Sequence, residues 1–394
     1  MLRLEGKAII TGGGPSIMEA GNRGCFLAEQ QLGWRSMGYS IGCPIKLPNE
    51  QSGNKFLTEI LDFNYFFPRK VGLSYFSRAI LIEAGGFGTI DEFAEFLSLA
   101  IRDPDKRQLF IFADPKFGEP VVEAVKGVLS HAHTRNEVDQ IFRRVVIAAD
   151  RHDAFEKICL FCDKHSSERS YFRRFETLAE DAFDDLVETS ERLSGFLDFR
   201  KRILREVNLR EGSAGKLADK FVTFSGHSAQ DGSLDEARRL GRMLGGRLVP
   251  TLAVGDSDLS TAFFEGAREA GGIPARLRMA DESYTANGVD EITYRLPCVG
   301  EALATKNSAR GVFGAPRLDD FARAMEELVL MQTHKAPVAP RVFMGEHIWK
   351  PFRDFAYKTL YQTFGTISGR DVDLMWIAGD HKKAIRQVMQ RKVA

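Results

Sequence analysis

The chain is short of cysteine and has no net charge. Its 394 residues include 5 cysteines and 3 tryptophans. An odd cysteine count without a disulfide-like spacing argues against a stapled secreted domain and for a reducing compartment. The 54 Lys and Arg balance 54 Asp and Glu, so no global basic field exists to hold a nucleic-acid polymer. No apolar run approaches the ~20 residues of a membrane span. The opening residues, MLRLEGKAII, lack the long apolar centre of a secretory signal. Together these absences point to a cytoplasmic protein with neither membrane nor nucleic-acid partner. Metal chemistry lacks a framework as well. Cys159 and Cys162 form a CxxC followed by His165, but no second ligand pair lies nearby. Helical spacing puts both cysteines on one face, where a buried structural role is expected.

What is present is an ordinary globular balance, 44% hydrophobic and 27% charged. The length exceeds one average domain, and ~150 residues per domain predicts two or three. Short β-rich runs alternate with helical patterns through the first 165 residues. Strands are expected at Lys7 to Thr11, Ser40 to Cys43, Ala79 to Glu83, Gln108 to Ala113 and Arg144 to Ala148, with helices near Pro15 to Gln31, Ile90 to Ile101 and Asp150 to Cys162. This βαβα order predicts a parallel sheet covered on both faces. Residues 166–215 are highly charged, with apolar residues such as Phe172, Phe175 and Leu178 at helical spacing, and are read as a helical linker. The βα pattern restarts at Phe221 to Phe224 and runs on through 216–394.

The two ends echo each other. Val145-Val146-Ile147-Ala148 matches Met375-Trp376-Ile377-Ala378, Asp91-Glu92-Phe93 matches Asp319-Asp320-Phe321, and Gly24 matches Gly266, at offsets of 230, 228 and 242. Echoes in the same order predict a duplicated domain. The expected fold class is therefore α/β: two Rossmann-like, doubly wound parallel-sheet domains joined by a helical linker.

Two strand–glycine loop–helix units stand out in the first half. One is Gly12-Gly13-Gly14-Pro15-Ser16-Ile17-Met18-Glu19, the other Gly85-Gly86-Phe87-Gly88-Thr89-Ile90-Asp91-Glu92. Glycine lets backbone approach an anion without a Cβ in the way, and the following helix aims its positive end there. Neither loop is a Walker A or a GxGxxG fingerprint, and each is also compatible with a tight βα turn. Thr89-x-x-Glu92 fits a capping box, so Glu92 reads either as a helix cap or as a carboxylate beside a ribose. Phe66-Phe67-Pro68-Arg69-Lys70 sets adjacent cations beside aromatics; they either grip a phosphate or lie exposed at a helix start.

The strings TGGGPSIMEAGNRG (Thr11 to Gly24), FFPRK (Phe66 to Lys70) and AGGFGTIDE (Ala84 to Glu92) resemble the Lonely guy family, often labelled lysine decarboxylase. The resemblance covers about residues 5 to 165. It implies hydrolysis of a purine nucleoside 5'-monophosphate at the N-glycosidic bond, on AMP or a cytokinin ribotide, without metal or organic cofactor. Arg69 and Glu92 would be the catalytic pair. Gly85, Gly86, Gly88 and Thr89 would cradle the phosphate; Gly12, Gly13, Gly14, Met18, Glu19 and Asn22 would line the nucleotide site, and Lys70 would assist.

Three features depart from that pattern. Ala84 and Ser16 replace a usual proline and glycine. The chain begins at what resembles the family's second strand. In the second half, Pro316-Arg317 stands where Gly88-Thr89 would fall, and Gly255-Asp256 where the triple glycine would. That half is expected to be structural, pairing with the first as the second subunit of a family dimer would; further homo-oligomer formation is left open. His227 and His334 read as isolated. A nucleotide-binding sensor or regulatory protein with little turnover is the competing expectation.

Overall fold

The computed structural model describes residues 8–31, 33, 40–45, 53–61, 63, 66–75, 77–102, 108–164, 221–227, 232–279, 291–294 and 310–390. The expected linker helices at 166–215 lie outside the described residues. Among these residues no helix is long and apolar enough to cross a membrane.

The first unit opens with β1 (Ile9–Thr11), α1 (Ile17–Gln31), β2 (Ser40–Gly42) and β3 (Glu59–Ile60). It continues through α2 (Phe66–Tyr75), β4 (Ala79–Ile82), α3 (Phe87–Arg102), β5 (Leu109–Phe112), α4 (Pro115–Leu129), α5 (Arg135–Phe142), β6 (Val145–Ile147) and α6 (Arg151–Lys164). All strand pairs are parallel, as the βα alternation requires. Leu109 to Phe112 are buried on both faces and form the apolar run expected of a covered strand.

The second unit runs β7 (Val222–Ser225), α7 (Ser233–Gly245), β8 (Thr251–Val254), α8 (Asp258–Glu269), β9 (Pro274–Met279) and β10 (Glu291–Tyr294). Then come β11 (Arg310–Phe313), α9 (Leu318–Gln332), β12 (Arg341–Met344), α10 (Glu346–Phe355), a π-helical stretch (Ala356–Thr363), α11 (Gly369–Val372), β13 (Met375–Ala378) and α12 (His381–Val388). Its strands form one parallel sheet in the order β10-β9-β8-β7-β11-β12-β13.

Among the described residues the first unit repeats that order without the central strand. Its strands form two separate sheets, β1-β2-β3 and β4-β5-β6. Matched against the larger sheet, they leave the place of β7 unfilled among the described residues. Leu81 of β4 is 43% exposed, whereas every residue of β11 is buried. The duplication is also visible in the backbone. Gly13 after β1 has φ +75° and Gly255 after β8 has φ +81°. Both turns need a left-handed residue, which glycine supplies without strain.

The two units share one hydrophobic core. A continuous cluster joins Phe87, Phe93, Phe112 and Phe117 of the first to Phe313, Phe321, Trp349 and Phe352 of the second. Phe117 and Phe364 meet edge to face across the boundary, ring centroids 5.3 Å apart. Equivalent helices face one another: α3 lies on α9, and α4 on α10. This is the self-complementary arrangement of a twofold dimer, built within one chain.

In the second unit, α7 and α8 approach unusually closely. A Cβ on Gly241 would run into the Phe263 carbonyl oxygen, and one on Gly245 into the backbone of Ala267. Backbone cannot move aside as a flexible side chain can. Gly241→Val is therefore expected to destabilise the protein by about 1–3 kcal/mol or more, the range for overpacking. Urea denaturation checks it; an unchanged midpoint would show that the helices separate freely.

Candidate functional site

Each glycine loop follows the carboxyl end of a parallel strand, where open α/β sheets bind ligands. In the first loop Gly13 N–H donates to Thr11 Oγ1 at 3.0 Å. Asn54 N–H donates to the Gly13 carbonyl at 2.8 Å, and the Asn54 amide reaches the Gly13 and Gly14 carbonyls at 3.2 Å each. Asn22, expected to line the ligand, is instead wholly buried. Its oxygen accepts from Thr11 Oγ1 at 2.6 Å and Asn54 Nδ2 at 3.0 Å, and its amide donates to Ser40 Oγ at 3.0 Å. These bonds occupy the side chain from several directions, so Asn22 fixes the loop from behind. Met18 packs beneath the glycines: its Sδ would lie 2.8 Å from a Cβ on Gly12, and its Cε 2.7 Å from one on Gly14. Glu19 stands half-buried in the first turn of α1.

The second loop enters α3 earlier than its sequence predicts. The helix begins at Phe87, so Thr89 lies inside the first turn and is not its cap. The Thr89 and Ile90 N–H groups donate to the Gly86 carbonyl at 3.1 and 3.3 Å. The capping-box reading of Glu92 therefore gives way. Its carboxylate turns to Arg69, with Nη1 to Oε1 at 2.7 Å. Arg69 is held at a second point by Nε donating to the Cys43 carbonyl at 2.8 Å. Its Nη2 stands where a Cβ on Gly12 would be. Arg69, Glu92 and the first glycine loop thus converge. The Glu92 side chain keeps 30% exposure and Arg69 only 9%, so the pair is anchored on one side and open on the other. Beside it the Cys43 thiol is pushed up to about 11 by burial, against the pull of Arg69 and with help from Glu92. It stays protonated and is no nucleophile.

The residues next in sequence make a second pair on the opposite side. Successive helix residues point ~100° apart, and Lys70 turns away from Arg69. Lys70 Nζ is wholly buried, 2.9 Å from Asp91, 3.3 Å from Glu326 and 3.9 Å from Glu95. Lys70 was expected beside the ligand; the structure puts it in the boundary between the two units instead. Burial works against its charge, but Asp91, Glu326 and Glu95 outweigh burial and hold Lys70 well above its usual value. Burial likewise pushes Asp91 up to about 8, against Lys70 and with Glu326 and Glu95. Three carboxylates around one ammonium leave an excess of negative charge, which a shared proton relieves.

Symmetry accounts for this cluster. Asp91 and Ser98 of α3 correspond, at an offset of 228, to Asp319 and Glu326 of α9. Lys70 bridges Asp91 to Glu326, and Ser98 donates to Asp319. Contact i with j is repeated as j with i. The second unit also reaches over the second loop. A Cβ on Gly86 would meet the Thr366 carbonyl oxygen at 3.0 Å and Ile367 Cγ2 at 2.8 Å. Sequence reading misses Thr366 and Ile367, since nothing in their types marks them. Asp91 had a signal: an acidic dipeptide, Asp91-Glu92, answers the basic dipeptide Arg69-Lys70.

In the second unit the position of Glu92 is taken by Asp320. It accepts from His227 Nδ1 at 2.8 Å and from the Arg317 N–H at 3.2 Å. His227, isolated in sequence, thus hydrogen-bonds a buried carboxylate. Burial pushes Asp320 up, but His227 prevails and holds it below the usual carboxylate range. Neither Cys159 nor Cys162 belongs to a metal-holding group among the described residues.

Residues 18–158 match the model of a family described as possible lysine decarboxylase. Over those residues the first unit is similar to that family, the one its glycine-loop and Arg-Lys motifs resemble. No curated protein matches the chain. Among solved structures, the molybdenum cofactor carrier protein from Chlamydomonas reinhardtii is similar at 21% identity, over 43% of this chain and 96% of that one, with a TM-score of 0.33. The molybdenum cofactor binding protein from the phototrophic bacterium Rippkaea orientalis is similar at 14% identity, over 42% of this chain and 91% of that one, with a TM-score of 0.30. Neither is close enough to transfer a ligand.

Two substitutions test the buried Lys70–Asp91 pair. Lys70→Met strands buried carboxylates and is expected to cost about 3–5 kcal/mol, read by chemical denaturation. Asp91 binds its proton more tightly folded than unfolded, so its contribution to stability falls as pH rises from about 4 to about 8. Asp91→Asn is expected to flatten the decline of melting temperature across that window; an unchanged slope would show that Asp91 is ionised throughout.

Proposed function

We propose that the first unit hydrolyses the N-glycosidic bond of a purine nucleoside 5'-monophosphate, of the AMP or cytokinin ribotide type, to base and ribose 5-phosphate. The observation that carries this reading is the Arg69–Glu92 pair, 2.7 Å apart and half open beside the first glycine loop. The 5'-phosphate would rest on Gly85, Gly86, Gly88 and Thr89, at the positive end of α3. Base and ribose would lie along Gly12 to Gly14, Met18 and Glu19.

Glycoside cleavage develops positive charge on the ribose ring. The Glu92 carboxylate would stabilise that charge and orient water towards C1'. The C1'–N bond breaks with its electron pair moving to the base. Water adds hydroxide at C1', and its proton ends on the base. Arg69 would hold the carboxylate in place and offer its remaining N–H groups to the substrate. Thr366 and Ile367 would narrow the pocket from the second unit.

A second reading is a nucleotide-binding protein with little turnover. It is favoured by the lack, among the described residues, of a strand between β1 and β4, because a loop from a central strand would border the same pocket.

Incubation with AMP and quantification of free adenine distinguishes the two. Base release is expected from the native protein. Glu92→Gln, which keeps the shape and one acceptor, is expected to lower it by about 10²-fold or more with little change in melting temperature. Tight AMP binding without base release would select the second reading.

A further inference from the structure

His133 takes no part in the proposed chemistry, yet it is enclosed where the two units meet. It sits in the short turn between α4 and α5. Its neighbour Ala132 belongs to the core that both units share. The His133 side chain is only 11% exposed. Both ring nitrogens are shielded from solvent and have no hydrogen-bond partner among the described residues. Buried polar groups almost always find one. A neutral ring tolerates this enclosure; an imidazolium, with two N–H donors and a charge, does not.

The surrounding groups explain why no partner comes forward. Glu137 of α5 approaches Nδ1 to 4.0 Å. Its carboxylate already accepts from the Thr134 N–H at 2.7 Å and the Thr134 hydroxyl at 2.9 Å, closing the capping box of α5. From the second unit, Arg317 and Asp319 at the start of α9 and His227 after β7 act on the ring. Asp319 is bound by Ser98 and Arg102, and His227 by Asp320. Both facing carboxylates are thus engaged, while Arg317 repels a charged ring. Burial first, then Arg317, hold His133 below the usual imidazole value; His227 adds to them, and Glu137 and Asp319 pull the other way.

We propose that His133 is an acid-sensitive latch between the two units. Its neutral ring packs in the closed boundary. The protonated ring must leave, and the contact of α4 with the second unit loosens. That contact reaches the first unit's site: Phe117 of α4 meets Phe364, and Thr366 and Ile367 follow over Gly86. His133 binds its proton less tightly folded than unfolded. Its contribution to stability is therefore kept above about pH 6.5 and lost as pH falls below it. Asp91 acts in the opposite direction, so the two effects are separable. His131, lowered by burial and by His347, adds to the His133 effect.

Hydrogen exchange of the intact chain at about pH 5.5 and about pH 7.5, corrected for the chemical rate, tests this without any substrate. The outcome is thus independent of the activity proposed for the first unit. Peptides from α4 and from residues 356–367 are expected to open at least about threefold more often at the lower pH. His133→Gln, neutral throughout, is expected to remove most of that difference and to flatten the fall of melting temperature on acidification. Arg317→Gln, at an exposed position, is expected to shrink both effects. An acid response that is absent from the native protein, or identical in native and His133→Gln proteins, would overturn the proposal. So would a flattened melting profile in His133→Gln with boundary exchange unchanged, because His133 would then hold nothing shut.

Discussion

A single buried ammonium holds the arrangement together. Lys70 of the first unit lies between Asp91 and Glu95 of its own α3 and Glu326 of the opposing α9. An unpaired ion at that depth would be costly, so α2, α3 and α9 are bound to one relative placement. That placement also fixes what lies beyond it. α3 carries the second glycine loop at its amino end, and the second unit's Thr366 and Ile367 come to rest over Gly86.

The same two dipeptides serve two purposes because a helix turns its neighbours apart. Arg69-Lys70 on α2 meets Asp91-Glu92 on α3 as two separate pairs. Lys70 with Asp91 faces the boundary and is sealed. Arg69 with Glu92 faces the strand ends and stays partly open. The boundary pair sets where α3 lies; the open pair is what a ligand would meet. Docking of the units and geometry at the cleft are thus mechanically coupled, although the residues responsible differ.

Much of the fold could be read from sequence because strand and helix periods, glycine turns and internal echoes are local. The left-handed glycines Gly13 and Gly255, after β1 and β8, sit at corresponding turns of the two halves. The convergence of Arg69, Glu92 and the first glycine loop was legible from residue types. The site was illegible where partners are distant. Lys70 could not be assigned because Glu326 lies 256 positions away. Asn22 looked like a pocket residue because its hydrogen bonds to Ser40 and Asn54 depend on the folded loop.

The central claim is that adjacent cations divide their work, with Arg69 and Glu92 at the ligand and Lys70 in the boundary. A crystal structure of the Glu92→Gln protein with AMP tests it most directly. The account predicts the phosphate on the amino-terminal turn of α3, the ribose against residue 92 and Arg69, and no contact with Lys70. A nucleotide bound through Lys70, or bound away from both glycine loops of the first unit, would contradict it.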